Sequence, residues 1–353
     1  MRPRFAYVGA FTTEKRKARG KGIAVFRIDP KDGAWQLVQT CETVHNPHFL
    51  ALDGTQRFLY SAHGDSDQVC AYARDAETGM LAPLNRRPTG GDNSSTVVVD
   101  AANRFLVLAN GPGVAVYPIE RDGSLGERCE LVIPPGEPGP WRKEQHGPHP
   151  HQAIFDPSGR YVVVPDKGLD KIHVYRFDAE RGTLACCDPP FVKARYGAVP
   201  RHIVFHPHAP YAYCVNEMDS TVFAYRWDAS RGTLEPFQRI ATTPDDYVGD
   251  NTGAEIAILP SGRFLYASNR GHDSIVIFAV DARTGRLAHV GWEPTQGPKP
   301  RFFGLDPDAG RLYACNENGH TIVEFDVDQE TGRLRPTGQV IETGSPTCIA
   351  FAA

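Results

Sequence analysis

His48, His63, His151, His202, Arg201, Arg270, Arg301, Glu217, Glu255, Glu317, Asp166 and Lys167 recur at equivalent points of a repeating sequence pattern. Histidine and carboxylate side chains take and return protons near neutral pH. Arginine and lysine hold anions, and in a poorly solvated pocket they stabilise negative charge developing on oxygen. Charged groups gathered in one place either pair with each other or bind something charged. No nucleophile motif accompanies them. G-x-S-x-G, S-x-x-K, a P-loop and a helix-opening G-x-G-x-x-G are all absent, so neither covalent catalysis nor a nucleotide cofactor is expected. His146, His149 and His151 lie close together in W-R-K-E-Q-H-G-P-H-P-H (141–151). Their spacing matches no metal motif and the prolines split them onto different faces, so no metal and no cofactor are expected.

Short strands must position these residues. Residues 263–281 read R-F-L-Y-A-S-N-R-G-H-D-S-I-V-I-F-A-V-D, and the phrase recurs in copies that start at 57, 104, 160, 210, 263 and 311, with a clipped copy at 5–29. A repeat of roughly 50 residues built from alternating short strands is the pattern of a β-propeller blade. Each unit holds four strand signals. An apolar run such as Gln152–Phe155 is strand A, and Tyr161–Val164 is strand B. Strand C is Ile172–Phe177, and strand D begins at Leu184 after an Asp- and Gly-containing turn. The chain opens on a strand B and closes on Ser345–Phe351, which reads as a strand A. The sequence therefore predicts an all-β fold, a seven-bladed propeller of four-stranded antiparallel blades forming one domain over 1–353. The C-terminal strand completes the N-terminal blade and closes the ring.

Strands A and B form a hairpin, so the start of A and the end of B lie at one end of the blade. Strand A lines the central channel. The A-starts include His48, His151, Arg201 and Arg301, followed in the next position by residues such as His202 and Glu255. The B-ends include His63, Asp166, Asn269 and Asn316, with Lys167, Glu217, Arg270 and Glu317 one residue on. All converge on one channel mouth. Asparagine at a strand end often caps a turn, which is the plain reading of Asn110, Asn216, Asn269 and Asn316. That reading does not account for Arg201, Glu217 or Arg270. His173, His206 and His208 fall on outer strands or turns and read as structural.

The chain has 353 residues and a net charge of −4, which gives no basic field for nucleic acid. The run E-K-R-K-A-R-G-K (14–21) is the exception, read as a solvated loop or else a lid attracting an anionic substrate. No 18-residue apolar run and no signal-peptide core are present, so no membrane partner is expected. Eight scattered cysteines without C-x-x-C read as buried hydrophobes in a reducing compartment, and a cytoplasmic location is expected. Nothing in the sequence demands a partner chain, so a monomer or weak homodimer is expected.

Four phrases carry a family resemblance: G-P-H-P-H-Q-A-I-F-D-P-S-G-R (147–160), P-R-H-I-V-F-H-P (200–207), Y-C-V-N-E-M-D-S-T-V (213–222) and L-Y-A-S-N-R-G-H-D-S-I (265–275). The chain resembles the seven-bladed propeller lactonases along its whole length. That family includes bacterial propeller-type 6-phosphogluconolactonases and the fungal carboxy-cis,cis-muconate cyclase. The resemblance implies chemistry on a lactone ring, with His151, Arg201, Glu217 and Arg270 as the catalytic residues. His48, His63, Asp166, Lys167, His202, Glu255, Asn269, Arg301 and Asn316 are then expected around a small, anionic lactone, most simply 6-phospho-D-glucono-1,5-lactone. Water would be activated by His151 or Glu217, and arginines would hold the oxyanion and phosphate. The alternatives are a lactonising enzyme of aromatic catabolism and a non-catalytic binding platform. The sequence departs from the family pattern at Asp92–Thr96, which lacks a P-x-H-type entry, and at Glu317, which doubles Glu217.

Overall fold

Runs that alternate apolar and polar residues fold as pleated strands, and four per repeat stack side by side into a sheet. The computed structural model describes residues 4–352. Its strands form seven four-stranded antiparallel sheets in which A pairs with B, B with C and C with D. The ring closes as the terminal strands suggest. Pro346–Ala352 pairs with Arg4–Ala10, from Phe5 opposite Ala352 to Ala10 opposite Pro346. No helix among the described residues is long and apolar enough to cross a membrane.

The core is a set of interfaces between neighbouring blades. Tyr213 and Val215 of one blade pack with Ile256, Leu265 and Phe278 of the next. The repeated tyrosine of strand B adds a polar fastener. Tyr7, Tyr60, Tyr213 and Tyr266 each donate to a glycine carbonyl in the C–D turn of the following blade: Gly79, Gly123, Gly285 and Gly332, at 2.8–3.0 Å. The phenol is thus satisfied inside an otherwise apolar seam. Those turns need glycine. Gly79 has φ +74°, and a Cβ there would lie 2.2 Å from the Phe5 ring. At the A–B turns an aspartate supplies the cap: Asp156 Oδ1 accepts the N–H groups of Arg160 and Tyr161 at 3.0 and 2.9 Å.

Strand A of the fourth blade is shorter than its sequence suggests. Only Ile154–Phe155 pair regularly with strand B. Pro148 and Pro150 remove backbone donors from the approach, and the hairpin continues as the bridge Pro150–Asp166, closed by bonds from His151 N to Pro165 O at 2.9 Å and from Lys167 N to His149 O at 3.1 Å.

The closing strand bridges two seams, with Cys348 and Ala352 in one and Ile349 in the other. Deleting 346–353 is expected to expose a strand edge and both seams at once. A thermal melt followed by circular dichroism should lose its single cooperative transition, and an unchanged melting temperature would contradict this account of closure.

Candidate active site

The chemistry-bearing side chains are aimed by bulges. Strands A and B pair Pro47 with His63, Pro200 with Asn216 and Pro300 with Asn316, and in each hairpin the register then slips by one residue. The residues left unpaired are His48, Arg201 and Arg301. A bulge redirects a side chain that the pleat would otherwise point elsewhere, and all three line one narrow space of about 10 Å³, room for roughly one water, with His151, His202 and Glu255. The residue before each proline takes a left-handed backbone, including the β-branched Val199 at φ +61°. Val199 N is tied to Asp170 Oδ1 at 2.8 Å.

Glu217 is the hub of the mouth. Its Oε1 lies 3.0 Å from Arg270 Nη2, and its Oε2 lies 3.4 Å from Lys167 Nζ and 3.7 Å from Arg201 Nε. Arg270 also donates to Gly253 O at 2.8 Å, Arg201 donates to Ala254 O, and Lys167 approaches Glu144 Oε2 at 3.6 Å. Burial alone would raise the Glu217 pKa, but Lys167, Arg270 and Arg201 hold it well below 4.5. Burial, then Arg301 and Arg270, lowers Arg201 to about 9, which leaves it charged at neutral pH. The buried Nε atoms of Arg201 and Arg270 have no hydrogen-bond partner, so the pair retains donor capacity beyond what Glu217 satisfies.

Beside this hub runs a relay of three side chains from three successive blades. Glu255 Oε1 accepts the Ile256 N–H at 3.0 Å and meets His202 Nδ1 at 2.8 Å. His202 Nε2 in turn meets His151 Nδ1 at 3.1 Å. The carboxylate accepts, so His202 Nδ1 carries its proton and, with the ring neutral, Nε2 is an acceptor. His151 Nδ1 then donates, and the lone pair of His151 is left on Nε2. Burial, then Arg201, His202 and Lys167, depresses the His151 pKa well below 6.5, and burial lowers His202 as well. His151 is therefore a neutral imidazole with an unspent basic nitrogen.

The structure brings His151, Arg201, Glu217, Arg270, Lys167, His202, Glu255, Arg301 and His48 together at this mouth. It places His63, Asp166, Asn269 and Asn316 behind it, fully buried. His63 lies between Ser61 Oγ at 2.7 Å and His45 O at 2.9 Å. Burial raises Asp166 to about 6, and its Oδ1 accepts the N–H groups of His149, Gly168 and Leu169 at 2.9–3.1 Å. Asn269 and Asn316 donate to Thr242 O and Thr295 O at 2.7 and 2.9 Å, the turn-binding role also available to them from sequence. Among the described residues no group of three His, Cys, Asp or Glu is arranged to hold a metal.

Three features escape sequence reasoning. The relay is one: His151, His202 and Glu255 are each about one repeat apart, a spacing visible in register but mute about contact. The second is the pairing of Glu317, which accepts Lys299 Nζ at 3.1 Å and lies 3.8 Å from Arg301 Nη1. The third is Arg16. The basic run is not wholly solvated: Lys15 is exposed, but the Arg16 side chain is 27% exposed and paired with Asp65. A larger cleft of about 490 Å³ opens beside Thr43, Tyr72 and Pro83, but only Glu42 and Arg86 are charged in its lining.

The family model described as "Lactonase, 7-bladed beta-propeller" matches residues 5–351. A protein of Bacillus subtilis named 6-phosphogluconolactonase is 34% identical over 308 residues, covering 86% of this chain and 85% of its own. One of Formosa agariphila with the same name is 32% identical, covering 86% of each. Among solved structures, a putative 6-phosphogluconolactonase of Bacteroides fragilis superposes with a TM-score of 0.90 at 30% identity, covering 99% of this chain and 98% of its own. The periplasmic gluconolactonase of Pseudomonas aeruginosa gives 0.90 at 28% identity, covering 99% of each.

Proposed function

Because the chain belongs to the seven-bladed β-propeller lactonases and is a lactone hydrolase, we propose that it opens 6-phospho-D-glucono-1,5-lactone to 6-phosphogluconate at this channel mouth. The observation that carries the reading is the neutral His151, oriented through His202 by Glu255, beside the cation Arg201 in one confined space. His151 Nε2 takes a proton from water as the water oxygen adds to the lactone carbonyl. The tetrahedral oxyanion forms against Arg201, with Arg270 next to it. The ring C–O bond then breaks, and the departing oxygen recovers the proton from the His151 imidazolium. A positioned base contributes about 10²- to 10⁴-fold and a charge-stabilising donor about 10²- to 10³-fold. Glu217 is a poor base because three cations hold it ionised; its part is to fix those cations. His202 and Glu255 are positioning residues.

The rate of opening near pH 7, less the spontaneous rate, tests the reading with three substrates: the phosphorylated lactone, unphosphorylated gluconolactone and a muconolactone. Acceleration chiefly of the first supports it. Preference for the muconolactone would move the assignment to dicarboxylate chemistry, and no acceleration of any would leave a binding platform. The free cysteines support a reducing, cytoplasmic location, which cell fractionation checks.

Glu255→Gln tests the relay. The amide oxygen can keep the bonds from the Ile256 N–H and His202 Nδ1–H, which meet the same atom, but the negative charge that favours the imidazolium forming at His151 is removed. A fall in kcat of roughly 10- to 100-fold with little change in KM is expected. A change confined to KM would contradict the positioning role.

A further inference from the structure

We propose that Arg16, Arg301 and His48 form an anion subsite on one side of the channel mouth, built to take the phosphate monoester of the substrate. The inference rests on the lactonase reading for the rest of that substrate. Three groups gather on one aromatic ring: Arg16 Cζ lies 4.2 Å and Arg301 Cζ 5.0 Å from the Phe11 centroid, and the His48 ring stacks on Phe11 at 5.5 Å. Stacking on an aromatic holds guanidinium planes while their N–H edges stay available.

Arg16 is fixed as a built group rather than a loose surface residue. Its Nε and Nη2 engage both oxygens of Asp65, at 2.5 and 3.1 Å, and Nη2 also donates to Asn93 Oδ1 at 3.2 Å. The loop that carries it is anchored at its root, where Asn46 Oδ1 accepts the N–H groups of Thr12 and Thr13 at 2.7 and 3.2 Å. The loop therefore presents one side chain to the mouth in a set position.

The independent pointer to a ligand is His48. It is 6% exposed, and its Nδ1 is buried without a well-aligned hydrogen bond, the Asn46 backbone being the one group that reaches the ring. Such an atom costs stability unless something meets it. It lies beside the same guanidinium: a Cβ built on Gly64 would lie 3.4 Å from Arg16 Nη2, whose N–H groups go to Asp65 and Asn93, and 3.5 Å from both Asn93 Oδ1 and His48 Nδ1, which leaves the Nη1 edge of Arg16 to meet an anion. Glycine at 64 leaves that cradle open. The Nδ1 atom accepts from the hydroxyl of a monoanionic phosphate or, once protonated, donates to the dianion; the second pKa of a phosphate monoester lies near 6.

Lys15 and Lys299 add cations beside Arg16 and Arg301, against the carboxylates of Asp65 and Glu317 and, further into the mouth, Glu217, which also acts on Arg301. This local concentration of cations, in a protein whose net charge is −4, suits an anion. Burial depresses both His48 and Arg301, and Arg16 adds to the effect on each.

Titration calorimetry with 6-phosphogluconate, gluconate and inorganic phosphate tests the subsite on wild type, Arg16→Gln and Gly64→Ala. The first variant removes the cation. The second keeps every charge and fills the cradle with one methyl. Wild type is expected to bind 6-phosphogluconate at least tenfold more tightly than gluconate, and each variant to lose at least tenfold of that preference. Equal preference in wild type and both variants would overturn the proposal, as would binding of neither phosphate compound by wild type. The lactone assay run in parallel separates the two readings. Arg16-dependent phosphate binding without lactone opening keeps the subsite and removes the hydrolysis reading. Lactone opening whose phosphate preference survives both variants does the reverse.

Discussion

His151→Asn is expected to lower kcat for lactone opening by about 10²- to 10⁴-fold, with KM within about threefold of wild type. The size follows from what the substitution removes. Asparagine can still donate toward His202 Nε2, which His151 Nδ1 meets at 3.1 Å, so the relay stays hydrogen-bonded and the mouth stays packed. What disappears is the unspent basic nitrogen. Arg201 and Arg270 remain to stabilise the oxyanion, which sets a floor above the spontaneous rate. Steady-state kinetics checks the result. A kcat within threefold of wild type would transfer the base to another group and undo the tautomer argument.

Glu217→Gln is the second large effect, and it falls on stability as well as rate. The side chain is isosteric, but the change leaves Lys167, Arg201 and Arg270 facing one another without the carboxylate that each of them meets. Breaking a buried ion pair by removing one partner costs about 3–5 kcal/mol, and a melting temperature lower by at least about 5 °C is expected. The pH dependence has a definite sign. The folded pKa of Glu217 is depressed below 4.5, so its contribution is fully present above about 4.5 and is lost as pH falls through the folded value. The stability gap between wild type and variant should therefore be widest near neutral pH and should close in acid. A gap that persists unchanged into acid would mean that packing, not charge, is what Glu217 supplies. The rate should fall too, because the two arginines lose the anchor that fixes them.

Much of this was legible before any coordinates. The repeated tyrosine, the turn glycine and the A–B aspartate each have a physical cause now visible: Tyr213 reaches Gly285 O, and Asp156 caps Tyr161 N. Because those causes recur in several blades, the repeat was readable, and so were ring closure and the gathering of charged residues at one mouth. The finer site was not. Whether Arg201 points into the channel or into a seam depends on a one-residue bulge after Pro200, and alternation cannot announce a bulge in advance. The relay depends on which blades are neighbours and on how His202 rotates between Glu255 and His151. Arg16 looked solvated because basic runs usually are; only the fold brings Asp65 and Phe11 beneath it. Asn269 and Asn316 show the opposite case, since a strand-end asparagine reads equally well as a turn cap or a ligand contact, and its buried bonds to Thr242 O and Thr295 O come from the folded ring.

The central claim is that a neutral His151 at the propeller mouth activates water for lactone opening. The most direct measurement is the pH dependence of kcat/KM for 6-phosphogluconolactone, less the spontaneous rate, between about pH 5 and pH 8. Burial and neighbouring cations hold His151 well below the ordinary 6.5, so the base stays deprotonated as pH falls past that value. The account predicts a catalysed rate that is level through neutral pH and declines only well below 6.5. A protein-dependent rate no greater than the spontaneous one, or an acid limb centred at 6.5 as for a solvated histidine, would contradict it.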